Sequence, residues 1–62
     1  MSGAPRETLF EFRQVGQQVR VAAIDPETGV EVIIVAPATA TETQMKSIAL
    51  AKLKRKLEQE GY

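Results

Sequence analysis

The stretch QVRVAAIDPETGVEVIIVA, residues 18–36, holds two runs of alternating side chains on either side of a turn sequence. Residues 18–24 alternate in side-chain character, and residues 30–36 are rich in β-branched side chains. A period of two with this composition predicts two β-strands. The segment DPETG between them predicts a tight turn, because proline fixes φ at about −65° and glycine adopts positive φ without strain.

The predicted turn also sets how the strands pair. With residues 26–29 as the loop, Ala23 faces Val32 across the hairpin. A third alternating run, LFEFRQV at residues 9–15, comes before them, and the Gly-Gln pair that follows it suits a two-residue hairpin turn. The sequence therefore predicts a three-stranded antiparallel meander. Its apolar face is expected to carry Phe10, Phe12, Val19, Val21, Ala23, Val32 and Ile34.

The chain after Pro37 has the pattern of an amphipathic helix. Thr41 with Gln44, or Thr39 with Glu42, fits a capping box at its start, and Gly61 is a natural stop. At about 100° of rotation per residue, one arc of this helix gathers an apolar stripe wide enough to cover a sheet face. The stripe consists of Met45, Ala49, Leu50, Leu53 and Leu57.

These elements predict the fold class α+β, with a three-stranded antiparallel β-meander followed by one C-terminal α-helix packed on one face. We expect the β-β-β-α domain to occupy residues 8–62, and residues 1–7 to form a disordered N-terminal tail. The helix is expected to cover the side of the sheet that carries Phe10 and Phe12.

Composition argues against several functions. The 62 residues include no Cys and no His, the residue types on which zinc sites mainly draw. Acid–base catalysis usually needs a titratable group held in a cleft, and no such arrangement is evident. The acidic residues Asp25, Glu27 and Glu31 are better explained by the turn than by a cation site. We expect a protein that is not an enzyme and holds no cofactor or metal.

Charge and hydropathy predict where the protein works. The formal net charge is zero, so no overall attraction draws the protein to nucleic acid or an anionic membrane. No apolar run approaches the roughly 18 residues of a membrane span, and the first residues do not resemble a signal peptide. We therefore expect a cytoplasmic protein that does not enter membranes.

The second face of the sheet is the candidate partner-binding surface. It mixes apolar and charged side chains, and contiguous exposed apolar patches usually mark contact surfaces. A domain of this size buries only about 60% of its unfolded surface, so contact with a partner chain would add stability. We expect a homodimer or a complex with a larger protein partner. The candidate residues are Leu9, Glu11, Arg20, Ile24, Glu31, Ile33 and Val35.

The basic segment KLKRK, residues 52–56, supports an alternative function. Its cations fall around the margins of the apolar stripe, where long side chains can lie over apolar surface and keep their charges in water. Three of them, Lys52, Arg55 and Lys56, are neighbours and could neutralise a few phosphates. Weak nucleic-acid binding through these three residues is the alternative, and nucleic acid is the less favoured partner.

Much of the chain resembles a family of very short bacterial proteins of unknown function. The resemblance is carried by FEF at residues 10–12, by the segment from Gly16 to Val32 that contains AIDPETG, by IVAP at 34–37 and by ALAKL at 49–53. The family often has glycine where this chain has Ala36. The resemblance implies no established activity. Some members carry a serine hydroxymethyltransferase label, but that enzyme class needs a lysine-bound pyridoxal phosphate in a large fold, which 62 residues cannot build.

Overall fold

The computed structural model describes residues 7–62 and confirms the predicted β-β-β-α order. The three strands form one antiparallel sheet in the order β1-β2-β3, and the helix follows them. The elements are β1 (Leu9–Val15), β2 (Gln18–Ile24), β3 (Glu31–Pro37) and α1 (Glu42–Gln59).

The first hairpin turns on Gly16. Val15 pairs with Gln18, so the loop has two residues. Gly16 has φ +63°, and among the described residues positive φ occurs only at glycines. A two-residue loop with positive φ at its first residue and negative φ at its second is a type II′ turn, whose twist matches that of the flanking strands.

The second hairpin is organised by Asp25, which is fully buried. Its backbone N–H donates to the Val30 carbonyl at 2.9 Å, and its own carbonyl accepts from the Gly29 N–H at 2.8 Å. Its carboxylate oxygen Oδ2 accepts from the Thr28 hydroxyl at 2.8 Å. Gly29 has φ +78°, the left-handed conformation for which the sequence supplies a glycine. The resulting register pairs Ala23 with Val32, as predicted.

The helix begins at the Thr41 cap. The Thr41 hydroxyl accepts from the Gln44 backbone N–H at 3.1 Å, and the Gln44 side chain accepts from the Thr41 N–H at 3.0 Å. These two bonds complete the capping box, so Thr41 and Gln44 form the cap and not Thr39 with Glu42. At the other end Gly61 has φ +87°, which lets the Tyr62 N–H fold back onto the Leu57 carbonyl at 2.9 Å.

The core lies between α1 and the β2–β3 half of the sheet. Each of its members is less than a tenth exposed, and Val21, Ala23, Ala49 and Leu53 are almost fully enclosed. The predicted helix stripe is confirmed at four positions, while Leu50 is half-buried beside it. The core consists of Val19, Val21, Ala23, Val32, Ala36, Met45, Ala49, Leu53 and Leu57.

The expected cover over the phenylalanines is wrong in part. Phe12 is 39% exposed, and Phe10 is half-buried at the margin of the core, with the Lys46 ammonium 5.7 Å from its ring centre. A helix is about 10 Å wide, whereas three strands at about 4.8 Å spacing span about 14 Å. The helix therefore covers two strands, and β1 is left beside it with none of its seven residues buried.

Two further sequence predictions concern the N-terminal tail and the absence of a membrane span. The expected tail of residues 1–7 lies outside the described residues except for Glu7, which is exposed. Among the described residues, α1 is too short of apolar side chains to cross a membrane.

Candidate partner-binding site

The sheet face opposite α1 is free of any covering element among residues 7–62, and we call it the open face. All seven residues predicted for partner binding project from it, because they occupy the same parity along their strands and the register brings them together. Their role as contacts stays a prediction. The open face has four cross-strand rows, which are Leu9–Ile24–Glu31, Glu11–Ala22–Ile33, Arg13–Arg20–Val35 and Val15–Gln18–Pro37.

The apolar side chains of the open face are large and accessible. Leu9 is 47% exposed, Ile33 39% and Val35 58%, and Ile24 is half-buried between them. Val15 is 57% exposed in the last row. Apolar side chains that occupy three strands of one surface differ from the single exposed apolar residues found on most proteins. This surface has the composition of a contact site.

A shallow depression lies at the middle of the open face. It forms because Ala22, the small residue of the second row, stands between the larger Glu11 and Ile33. Arg13, Arg20 and Glu31 complete its rim, and its volume is about 180 Å³. The depression can accept one apolar side chain at its floor while the rim charges contact polar groups around it.

The rim carries two acidic and two basic side chains, but the two basic ones are neighbours. Arg13 and Arg20 stand directly opposite each other on β1 and β2, and like charges in that position are destabilising. Within residues 7–62 neither arginine forms an ion pair with Glu11. Sequence reasoning assigned Arg20 and Glu11 to the site but missed Arg13, Val15 and the small residue Ala22. The period of two already places all three on this face of the sheet, but they were not chosen as site residues.

The three cations of the alternative site also lie together. Lys52, Arg55 and Lys56 line one groove of about 620 Å³ beside Val32, and no aromatic side chain lines it. Two of the three are already engaged. Lys52 Nζ donates to the Ile33 carbonyl at 2.8 Å, and Lys56 Nζ lies 3.4 Å from the Glu60 carboxylate. The groove is therefore basic, but part of its charge is used within the protein.

Residues 5–60 match the family described as Domain of unknown function (DUF6898). The chain belongs to this family. The match confirms the expectation of a short uncharacterised family, and it covers every strand and the whole helix. No curated protein and no solved structure matches this DUF6898 chain. Its function must therefore be argued from the geometry of its own surfaces.

Proposed function

We propose that this DUF6898 chain is a small non-catalytic protein-interaction module that self-associates and binds a partner through its open face. The observation that carries the proposal is the open face itself, where Leu9, Ile33 and Val35 are each more than a third exposed around a charged rim. Burying such side chains is favourable by roughly 25 cal/mol per Å² of apolar area.

The small core supports the same proposal. Among residues 7–62 nine form the core, and three of them, Ala23, Ala36 and Ala49, contribute only a methyl group. The β1 strand contributes no buried residue at all. A domain of this size gains stability when a partner covers part of its surface, because binding that favours only the folded state shifts the folding equilibrium.

The chemistry available in the described residues supports a non-catalytic role. Among residues 7–62 no three acidic side chains converge as a metal site would require. The depression over Ala22 is shallow, and at about 180 Å³ it is smaller than the several hundred Å³ of an ordinary ligand pocket. At the open face, this small volume favours recognition of a protein surface over conversion of a small molecule.

The test of the open face uses two matched isoleucine variants. Ile33→Glu places a charge on the open face, whereas Ile48→Glu places the same charge on an exposed side of α1, where Ile48 is 56% exposed. Wild-type protein and both variants serve as baits in affinity capture from extract of the native cell. We expect proteins held by the wild type and by Ile48→Glu to be lost from Ile33→Glu. Identical captures by all three baits would contradict a binding role for the open face.

Self-association is measured separately by sedimentation equilibrium up to high micromolar concentration. We expect a mass above that of the 6.8 kDa chain. A single species at the monomer mass over the whole range would remove self-association from the proposal and leave the open face to a different protein.

Weak nucleic-acid binding is the second candidate, supported by the groove that Lys52, Arg55 and Lys56 line together. Contacts to phosphates make affinity fall steeply with salt, because binding releases condensed counterions. In a salt-titrated binding assay this function requires an affinity that weakens as salt rises and is lost in Lys52→Glu. Absence of binding at low salt would dismiss it.

A further inference from the structure

The two edges of the sheet differ in whether they can accept another strand. Two hydrogen bonds at the ends of β2 show which of its backbone groups point towards β3. The Ala38 N–H donates to the Gln17 carbonyl, and the Asp25 N–H donates to the Val30 carbonyl. The backbone N–H and C=O groups of the odd residues of β2 therefore point towards β3, and those of its even residues point towards β1, since hydrogen bonding alternates along an antiparallel strand.

The register then shows which groups lie at the outer edges. On β3 the outward residues include Ile33 and Pro37. The Ile33 carbonyl is occupied by Lys52 Nζ at 2.8 Å, and Pro37 has no N–H to donate. A charged lysine and a proline are devices by which proteins block an edge strand. The β3 edge is therefore closed to strand addition at these two positions.

The β1 edge carries no such protection. The β1 residues that hydrogen-bond to β2 are Leu9, Glu11, Arg13 and Val15, so the N–H and C=O groups of Phe10, Phe12 and Gln14 point outward. Within residues 7–62 no lysine and no proline blocks these groups. The strand is seven residues long, and Phe12 is 39% exposed beside the edge. An edge of this length is a template for another strand.

We infer that the β1 edge pairs with the β1 edge of a second copy, antiparallel, with Phe12 opposite Phe12. This inference rests on the proposed self-association and states where the copies join. A two-fold axis normal to the sheet produces this pairing. It gives one six-stranded sheet with both helices on one face and both open faces side by side on the other.

Charge complementarity selects the register. Outward groups must meet outward groups, so a symmetric pairing is centred on a residue. The centres Glu11, Phe12 and Arg13 are compared because they keep most of the seven-residue strand paired. Centring on Glu11 sets two carboxylates opposite each other, and centring on Arg13 sets two guanidiniums opposite each other. Centring on Phe12 aligns all seven residues and places Glu11 of each copy opposite Arg13 of the other. Oppositely charged cross-strand pairs stabilise and like pairs destabilise.

The same register covers the groups that one copy leaves exposed. Leu9 of one copy meets Val15 of the other on the open face, and the two Phe12 rings meet on the helix side. Phe10 of the second copy lies opposite Gln14, which with Phe12 and Met45 lines a groove of about 390 Å³ beside α1. Each Arg13, whose cross-strand partner in its own sheet is Arg20, acquires a carboxylate partner.

A charge-swap series tests the register. Sedimentation equilibrium is run on the wild type, on Glu11→Arg, on the double variant Glu11→Arg with Arg13→Glu, and on Glu58→Arg as a control of equal charge change on an exposed helix position. Because the dimer contains two Glu11–Arg13 pairs, we expect Glu11→Arg to raise the dimer dissociation constant at least about tenfold. The double variant restores both pairs with the signs exchanged and should return to within about threefold of the wild type. Glu58→Arg should leave the dimer dissociation constant unchanged.

Cysteine cross-linking provides a second readout, because the natural chain has no Cys. Directly opposite residues in a non-hydrogen-bonded pair have Cα atoms about 4.5 Å apart, which suits a disulfide, whereas diagonal neighbours are about 7–8 Å apart. Mixing Glu11→Cys with Arg13→Cys should give the mixed disulfide, and neither variant alone should form a disulfide-linked dimer efficiently. Circular dichroism checks that every variant is folded.

Three results would overturn the inference. They are a monomeric wild type, a double variant that is no better than Glu11→Arg, and a Glu11→Cys disulfide that forms as readily alone as in the mixture. The last two would leave self-association intact but place the contact elsewhere. Binding of a partner by the open face is decided independently by the Ile33→Glu and Ile48→Glu captures.

Discussion

Truncation of Leu53 tests the packing on which every surface described above depends. Leu53 is 1% exposed and lies in the middle of the helix stripe, between Ala49 and Leu57. Leu53→Ala deletes three buried carbon atoms and leaves a cavity, which costs about 3 kcal/mol for a site this enclosed. A domain of 62 residues has a free energy of unfolding of about 3–9 kcal/mol in total. The substitution should therefore remove a third or more of the stability.

The assay is urea unfolding followed by far-UV circular dichroism. With a denaturant slope of about 1 kcal/mol/M for a small domain, the midpoint should fall by about 3 M. Ile48→Ala is the matched control, because Ile48 is on the same helix but 56% exposed, and its cost should stay below about 0.5 kcal/mol. Leu53→Met keeps the volume and should cost less than about 1.5 kcal/mol, which provides a folded reference if the alanine variant unfolds in water. Equal costs for Leu53→Ala and Ile48→Ala would refute the packing of α1 on the sheet.

Two further substitutions test the helix N-cap and the second hairpin turn by the same unfolding assay. Thr41→Ala removes the hydroxyl that accepts from the Gln44 N–H and should cost about 1 kcal/mol. Thr43→Ala, two residues later and exposed, should cost much less. Asp25→Ala removes the buried acceptor of the Thr28 hydroxyl and should cost about 1–3 kcal/mol. A cost near zero at Asp25 would mean that the hairpin is held by its backbone alone.

Much of the candidate site could be predicted from local pattern. The period of two identified which side chains share the open face, and the DPETG turn set the register that brings Glu31 and Ile33 beside β2. Helical periodicity identified the four buried positions of α1. These features depend only on the geometry of a strand or a helix and on short-range turn chemistry.

The features that the pattern missed depend on how the elements pack. Periodicity assigns Phe12 to the helix side of the sheet, but it does not say which strands the helix lies over. Likewise, Lys52 was predicted as a solvated cation, and its bond to the Ile33 carbonyl exists only because α1 runs close to β3. Strand parity alone did not indicate that β1 and β3 would have different edges.

The sequence by itself determined the elements, their register and the two faces of the sheet, because alternation, proline, glycine and the capping box act over a few residues. Only the tertiary structure decided that a helix about 10 Å wide lies over β2 and β3. That placement lets Lys52 block the β3 edge at the Ile33 carbonyl and leaves the β1 edge open. Its physical reason is a competition among long-range contacts for limited apolar area, which no short stretch of the chain encodes.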